Sequence, residues 1–148
     1  MPDLWSGIWP AQLMDTGQAL GTVTWRQVGE EQGRASIGQP FGGQPFTGCD
    51  AGPALFFRGS YDIGGDLIGC TVGADARTLV GRFNGREDFR SGSFVIRIAP
   101  DNPNEFEGVY YEDDGVTLVW CGELKSRLGV PLAAPSVAAR ALSGKLDT

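Results

Sequence analysis

The sequence contains no histidine. That removes Ser-His-Asp and Cys-His nucleophile systems, histidine-ligated zinc and the imidazole pH switch together. Positive charge is scarce as well: 12 Lys+Arg stand against 18 Asp+Glu, a formal net charge of -6. Phosphate backbones are gripped by clustered basic residues, so nucleic acid is not an expected partner. No apolar run approaches the roughly 20 residues of a membrane-spanning helix, so no membrane span is expected. Cysteine is limited to Cys49, Cys70 and Cys121. An odd count without a Cys-x-x-Cys pair fits reduced thiols in a cytosol better than a disulfide framework, though one bridge plus one free thiol is compatible with it. The same spacing argues against a metal cluster. The start, Met1-Pro2-Asp3-Leu4-Trp5, lacks a basic region followed by an apolar stretch. A cytoplasmic location is therefore expected, with a trimmed secreted form as the alternative. Neither a metal nor a cofactor is expected.

Glycine, by contrast, is abundant. Its 23 residues among 148 are roughly twice the ordinary usage of about 7%. A hydrophobic fraction of 41% suffices for one core of this size. The glycines recur in a local pattern, a glycine followed two positions later by an aromatic or apolar residue. Examples are Gly7-Ile8-Trp9, Gly59-Ser60-Tyr61, Gly81-Arg82-Phe83, Gly92-Ser93-Phe94, Gly108-Val109-Tyr110 and Gly122-Glu123-Leu124. An apolar residue often stands two positions earlier too, as at Phe57, Leu79, Phe106 and Trp120. Residues spaced by two share one face of a strand, so each copy presents large, glycine, large on the same side.

Strands are accordingly expected at 4–10, 19–28, 54–61, 66–73, 77–84, 91–99, 105–112 and 116–125, with a weaker candidate at 33–38. Turn chemistry separates them, including Asp62-Ile63-Gly64-Gly65 and Asp113-Asp114-Gly115, and no helical periodicity interrupts them. One face of this scheme collects the glycines and large apolar residues, Val116 among them, without a charge. The other carries Arg26, Arg58, Arg82, Arg97, Glu105, Glu107 and Glu123, with cross-strand ion pairs expected among them. Interior glycines let coiled strands bend and leave room that a neighbouring ring can cover. The expected fold is all-β: a single antiparallel up-and-down barrel of about eight strands with a short C-terminal helix or tail. Residues 1–128 form the barrel domain, and the Pro/Ala-rich 129–148 the tail.

Trp9, Trp25, Phe57, Tyr61, Phe83, Phe94, Tyr110 and Trp120 fall on the inward face. They either pack as a solid core or line a cavity in which tyrosine hydroxyls and indole N–H groups serve as polar handles. A ligand in such a cavity is small, largely apolar and uncharged, since no fixed charge shares the face. A binding cavity on the order of 300 Å³ or more is expected. The long loop at 38–53 repeats Gly-Gln-Pro-Phe and offers Phe41 and Phe46 as a lid. Asp62, Asp66, Asp113 and Asp114 lie at turns, either simply solvated or ringing one mouth. Carboxylates on the strands face outward, which leaves no residue assignable to acid–base catalysis.

Trp5-Ser6-Gly7-Ile8-Trp9, Leu79-Val80-Gly81-Arg82-Phe83 and Trp120-Cys121-Gly122-Glu123-Leu124 resemble the strands of calycin-type barrels, the avidins and lipocalins. That resemblance implies a ligand site at the barrel mouth shaped by tryptophans. The polar residues with which avidins contact biotin have no counterpart here, so biotin is not carried over. Phe57-Arg58-Gly59-Ser60-Tyr61 and Phe106-Glu107-Gly108-Val109-Tyr110 also resemble MORN repeats, which implies an open sheet and an interaction module. Three functions therefore stand: a binder of a small apolar molecule, a lipocalin-like cyclase or isomerase acting by substrate orientation, and a MORN-like interaction module. A homodimer is compatible with each.

Overall fold

The computed structural model describes residues 2–37, 48–49, 52–62, 64–84, 91–113 and 115–127. Phe41 and Phe46, and the tail at 129–148, lie outside them.

Eight antiparallel strands close into a barrel: β1 (Gly7–Leu13), β2 (Ala19–Val28), β3 (Phe56–Tyr61), β4 (Asp66–Val72), β5 (Thr78–Asn84), β6 (Gly92–Ala99), β7 (Asn102–Glu112) and β8 (Thr117–Glu123). Each strand pairs with the next, and β1 pairs with both β2 and β8. A two-residue strand, β9 (Ser126–Arg127), runs along the start of β1 where β8 has ended. From β3 onward the up-and-down order follows from short turns between strands whose inward faces must all reach one core. Closure removes the free edges that an open sheet would expose. It also places the aromatic positions inside, an arrangement the open repeat sheet excludes.

Cross-strand register explains the glycines. Trp25 lies opposite Gly59, Phe94 opposite Gly81, Phe83 opposite Gly92, Trp120 opposite Gly108 and Phe106 opposite Gly122. The Trp25, Phe83 and Phe106 rings cover the space that Gly59, Gly92 and Gly122 leave, whereas at Gly81 and Gly108 the backbone of the neighbouring strand comes close. A Cβ on Gly59 would stand 2.8 Å from the Trp25 ring. The inward face thus packs as one cluster that includes Trp5, Trp9, Trp25, Phe57, Phe94, Phe106 and Trp120. Burial of each such side chain contributes about 1.5–3 kcal/mol. Val116, expected to face inward, is 43% exposed because it sits in the turn before β8.

Two expectations are overturned on the outer face. The segment expected as a weak strand at 33–38 is instead the end of a helix, α1 (Glu30–Ile37). Glu30 and Glu31 favour its N-terminus, and Arg34 reaches back to Glu30 at 3.0 Å. Only Gly33 and Ile37 are buried, so the helix carries almost no apolar periodicity. It covers Phe56, Ile68 and Cys70 on the outside of β3 and β4, and a Cβ on Gly33 would collide with the Phe56 ring. The cysteines are not all reduced: Cys49 is joined to Cys70, with Cα atoms 6.0 Å apart, and Cys121 is free. Arg34 fastens the same region. Its guanidinium donates to the carbonyl oxygens of Cys49 at 2.6 Å and Gly52 at 2.9 Å while lying over the Phe56 ring. Of the expected ion pairs, Arg97–Glu107 forms at 3.3 Å, whereas Arg58 donates to the Ser36 hydroxyl.

Candidate ligand-binding site

The two ends of the barrel differ. At the end where the chain enters, Trp5 and Trp9 fill the interior against Phe106, with ring centroids 6.4 and 5.5 Å from it. Both indoles have partners there: Trp5 Nε1–H donates to the Ala76 carbonyl at 3.0 Å and Trp9 Nε1–H to the Trp5 carbonyl at 2.9 Å. This end is closed.

Rings continue along the axis. Phe106 meets Trp120 edge-on at 5.1 Å, Trp120 meets Tyr110 at 5.5 Å, and Tyr110 meets Phe83 at 5.6 Å. Beyond Trp120 the packing opens into a cavity of about 180 Å³, lined by Leu20, Tyr61, Leu67, Phe83, Tyr110 and Trp120. Gly64, Gly65, Asp66, Asn84 and Glu112 form its rim. The wall is almost wholly apolar, and the only carboxylates are at the edge. The cavity is smaller than the expected 300 Å³, because the rings opposite glycines fill most of the barrel's length. An engineered apolar void of about 150 Å³ accepts benzene, so this one has room for a ligand of one or two rings.

Its polar groups are few. Burial pushes the Tyr61 phenol far above its ordinary pKa, with Tyr110 and Asp62 adding to the effect. Burial also raises Tyr110, helped by the Glu112 carboxylate. Both phenols are therefore neutral and able to donate. Trp120 is buried and its Nε1–H has no acceptor among the described residues. Trp25 shares that condition deeper in the core. Both nitrogens are sealed from the cavity by the side chains around them, and a buried donor left unpaired costs about 1–3 kcal/mol.

Of the aromatics expected to form the site, Tyr61, Phe83, Tyr110 and Trp120 converge on the cavity. Trp9, Trp25, Phe57 and Phe94 lie in the packed core. Leu20, Asn84 and Glu112 were not anticipated. Leu20 reaches the cavity through a bulge: Ala11 pairs with Gly21 and Gln12 with Ala19, leaving Leu20 as the extra residue. Gly21 takes a positive φ of 94° there. A Leu-Gly pair near the start of β2 was the available signal. Among the described residues, no group of three Cys, Asp or Glu side chains is arranged to hold a metal ion.

No family model matches the chain, and no characterised protein or solved structure is significantly similar to it. The closed eight-stranded barrel is compatible with a calycin-like architecture. No helix among the described residues is long and apolar enough to cross a membrane.

Proposed function

We propose that this protein binds a small, neutral, largely apolar molecule of one or two rings in the cavity bounded by Tyr61, Phe83, Tyr110 and Trp120. The observation that carries this reading is the cavity itself: ring-walled, open at one mouth, and lined by the neutral Tyr61 and Tyr110 phenols. Aromatic walls favour a flat ligand through stacking and edge contacts. Tyr61 and Tyr110 supply donors, so the ligand carries an acceptor oxygen, as a ketone, aldehyde or ether does. Carboxylates of Asp66 and Glu112 at the rim disfavour anions. Orientation catalysis on a polyene finds no specific support in a cavity of this size.

Trp fluorescence tests the reading. A series of one- and two-ring neutral aromatics should quench or shift emission saturably, and Phe83→Trp should abolish the response by filling the cavity. An unresponsive spectrum at saturating concentrations of every compound would refute it.

A further inference from the structure

The cavity also brings together the groups that a proton transfer beside a carbonyl requires. Tyr61 is on β3 and Tyr110 on β7, four strands apart in either direction around the barrel, so the two reach the cavity from opposite walls. Both pack against the Trp120 ring, with centroids 6.2 and 5.5 Å from it. No hydrogen bond among the described residues engages either hydroxyl. The phenols are near enough that Tyr110 adds to the burial that holds the Tyr61 proton. Two neutral donors facing one small apolar space suit negative charge developing on a carbonyl oxygen.

A base stands beside them. Inward positions on β7 alternate through Phe106, Gly108 and Tyr110 to Glu112, the next residue on that face toward the mouth. This carboxylate departs from the uncharged inward face expected from the sequence. Its direct partner on β6 is Gly92, so no β6 side chain stands opposite it. The neighbouring carboxylates are placed differently: Asp66 shares the outward phase of Ile68, and Asp62 accepts the Thr22 backbone N–H at 3.0 Å. One inward step on a strand is about 7 Å. A ketone with its oxygen at the phenols therefore turns an adjacent carbon toward Glu112.

We propose that this site enolises the ketone it binds, with the Glu112 carboxylate removing a proton from the carbon beside the carbonyl while the Tyr61 and Tyr110 hydroxyls donate to the oxygen. The C–H electron pair becomes the carbon–carbon double bond of the enolate, and the carbonyl π pair moves to oxygen. Return of the proton from Glu112 to the same carbon, or to a conjugated one, completes an isomerisation without oxidant, reductant or further reactant. This chemistry rests on the ketone binding proposed above.

Deuterium exchange tests it with a set of one- and two-ring aromatic ketones, 2-tetralone among them. In deuterated buffer, the proton signals beside the carbonyl should disappear faster with catalytic amounts of protein than without, while tryptophan fluorescence follows binding of the same compounds. Glu112→Gln should slow the protein-dependent exchange roughly 100-fold or more and keep ketone affinity within a few-fold. Tyr61→Phe should slow it by a similar factor, roughly 100-fold. Glu112→Asp, which keeps a carboxylate, should retain part of the rate. Saturable binding with exchange no faster than in buffer overturns the enolisation and leaves the binding reading standing. Undiminished exchange in Glu112→Gln overturns the assignment of the base. Absence of both binding and exchange for every ketone overturns the two readings together.

Discussion

Trp25 on β2 lies directly across the ladder from Gly59 on β3, and its ring occupies the space that a side chain at Gly59 would need. The same relation recurs at Gly92 with Phe83 and at Gly122 with Phe106, so at these positions glycine is a packing residue whose partner is a ring. Gly59→Ala should therefore destabilise the fold by about 1–3 kcal/mol through overpacking, although alanine favours a strand over glycine. Chemical denaturation measures this. Unchanged or increased stability would show that the ring moves aside freely.

The pocket makes a prediction about ligand chemistry. For two ligands of matched shape, an aromatic ketone and its hydrocarbon, the ketone should bind roughly 3- to 10-fold more tightly, the worth of one net hydrogen bond. Tyr110→Phe should narrow that difference while leaving hydrocarbon affinity within a few-fold. Calorimetric titration of both ligands against both proteins makes the comparison. Equal affinities in the unaltered protein would remove the phenols from the recognition.

The outer face makes a prediction about redox state. Thiol titration of the native, unreduced protein should count one accessible class of cysteine, Cys121, and three cysteines after reduction and unfolding. Reduction should lower stability by about 3 kcal/mol, the chain-entropy value for a loop of this size. The barrel's tryptophan circular dichroism should persist, since the bridge lies outside the main core. Three titratable thiols in the native protein would contradict the pairing.

Alkali should expose the buried phenols. In the folded chain Tyr61 and Tyr110 hold their protons above the ordinary phenol value of about 10, while the unfolded chain releases them there. Above that pH the unfolded state binds fewer protons than the native state, so stability falls as pH rises. Below it, their contribution is fully present and flat. Tyrosinate absorbance should thus show these two groups ionising together with unfolding, and Tyr61→Phe should shift the alkaline transition upward. Full ionisation of both within a still-folded protein would contradict their burial.

Much of this architecture was legible in the sequence. Gly-x-aromatic spacing placed the strands within a few residues and assigned Trp9, Trp25, Phe94 and Phe106 to the inward face, because alternation by two is local. Which inward rings would face a void was not legible. Depth along a barrel depends on strand stagger, and alternation treats Trp25 and Tyr110 alike although only Tyr110 reaches the cavity. Helix α1 escaped notice because Gly33 and Ile37 are its only buried residues. A clue lay elsewhere, in the outward Phe56, Ile68 and Cys70, which needed a cover. The reduced-thiol expectation failed because counting cysteines carries no information about their separation in space.

Occupation of the pocket can be read at a single residue, Trp120, whose ring lines it. In a 1H–15N spectrum the four indole N–H groups give separate signals, of which those of Trp5 and Trp9 are held by backbone carbonyls. Titration with a small neutral aromatic ketone should shift the Trp120 Nε1–H signal saturably, because the Trp120 ring walls the cavity, with Trp5 and Trp9 little affected. A Trp120 signal that stays fixed at saturating ketone would contradict ligand binding in this cavity.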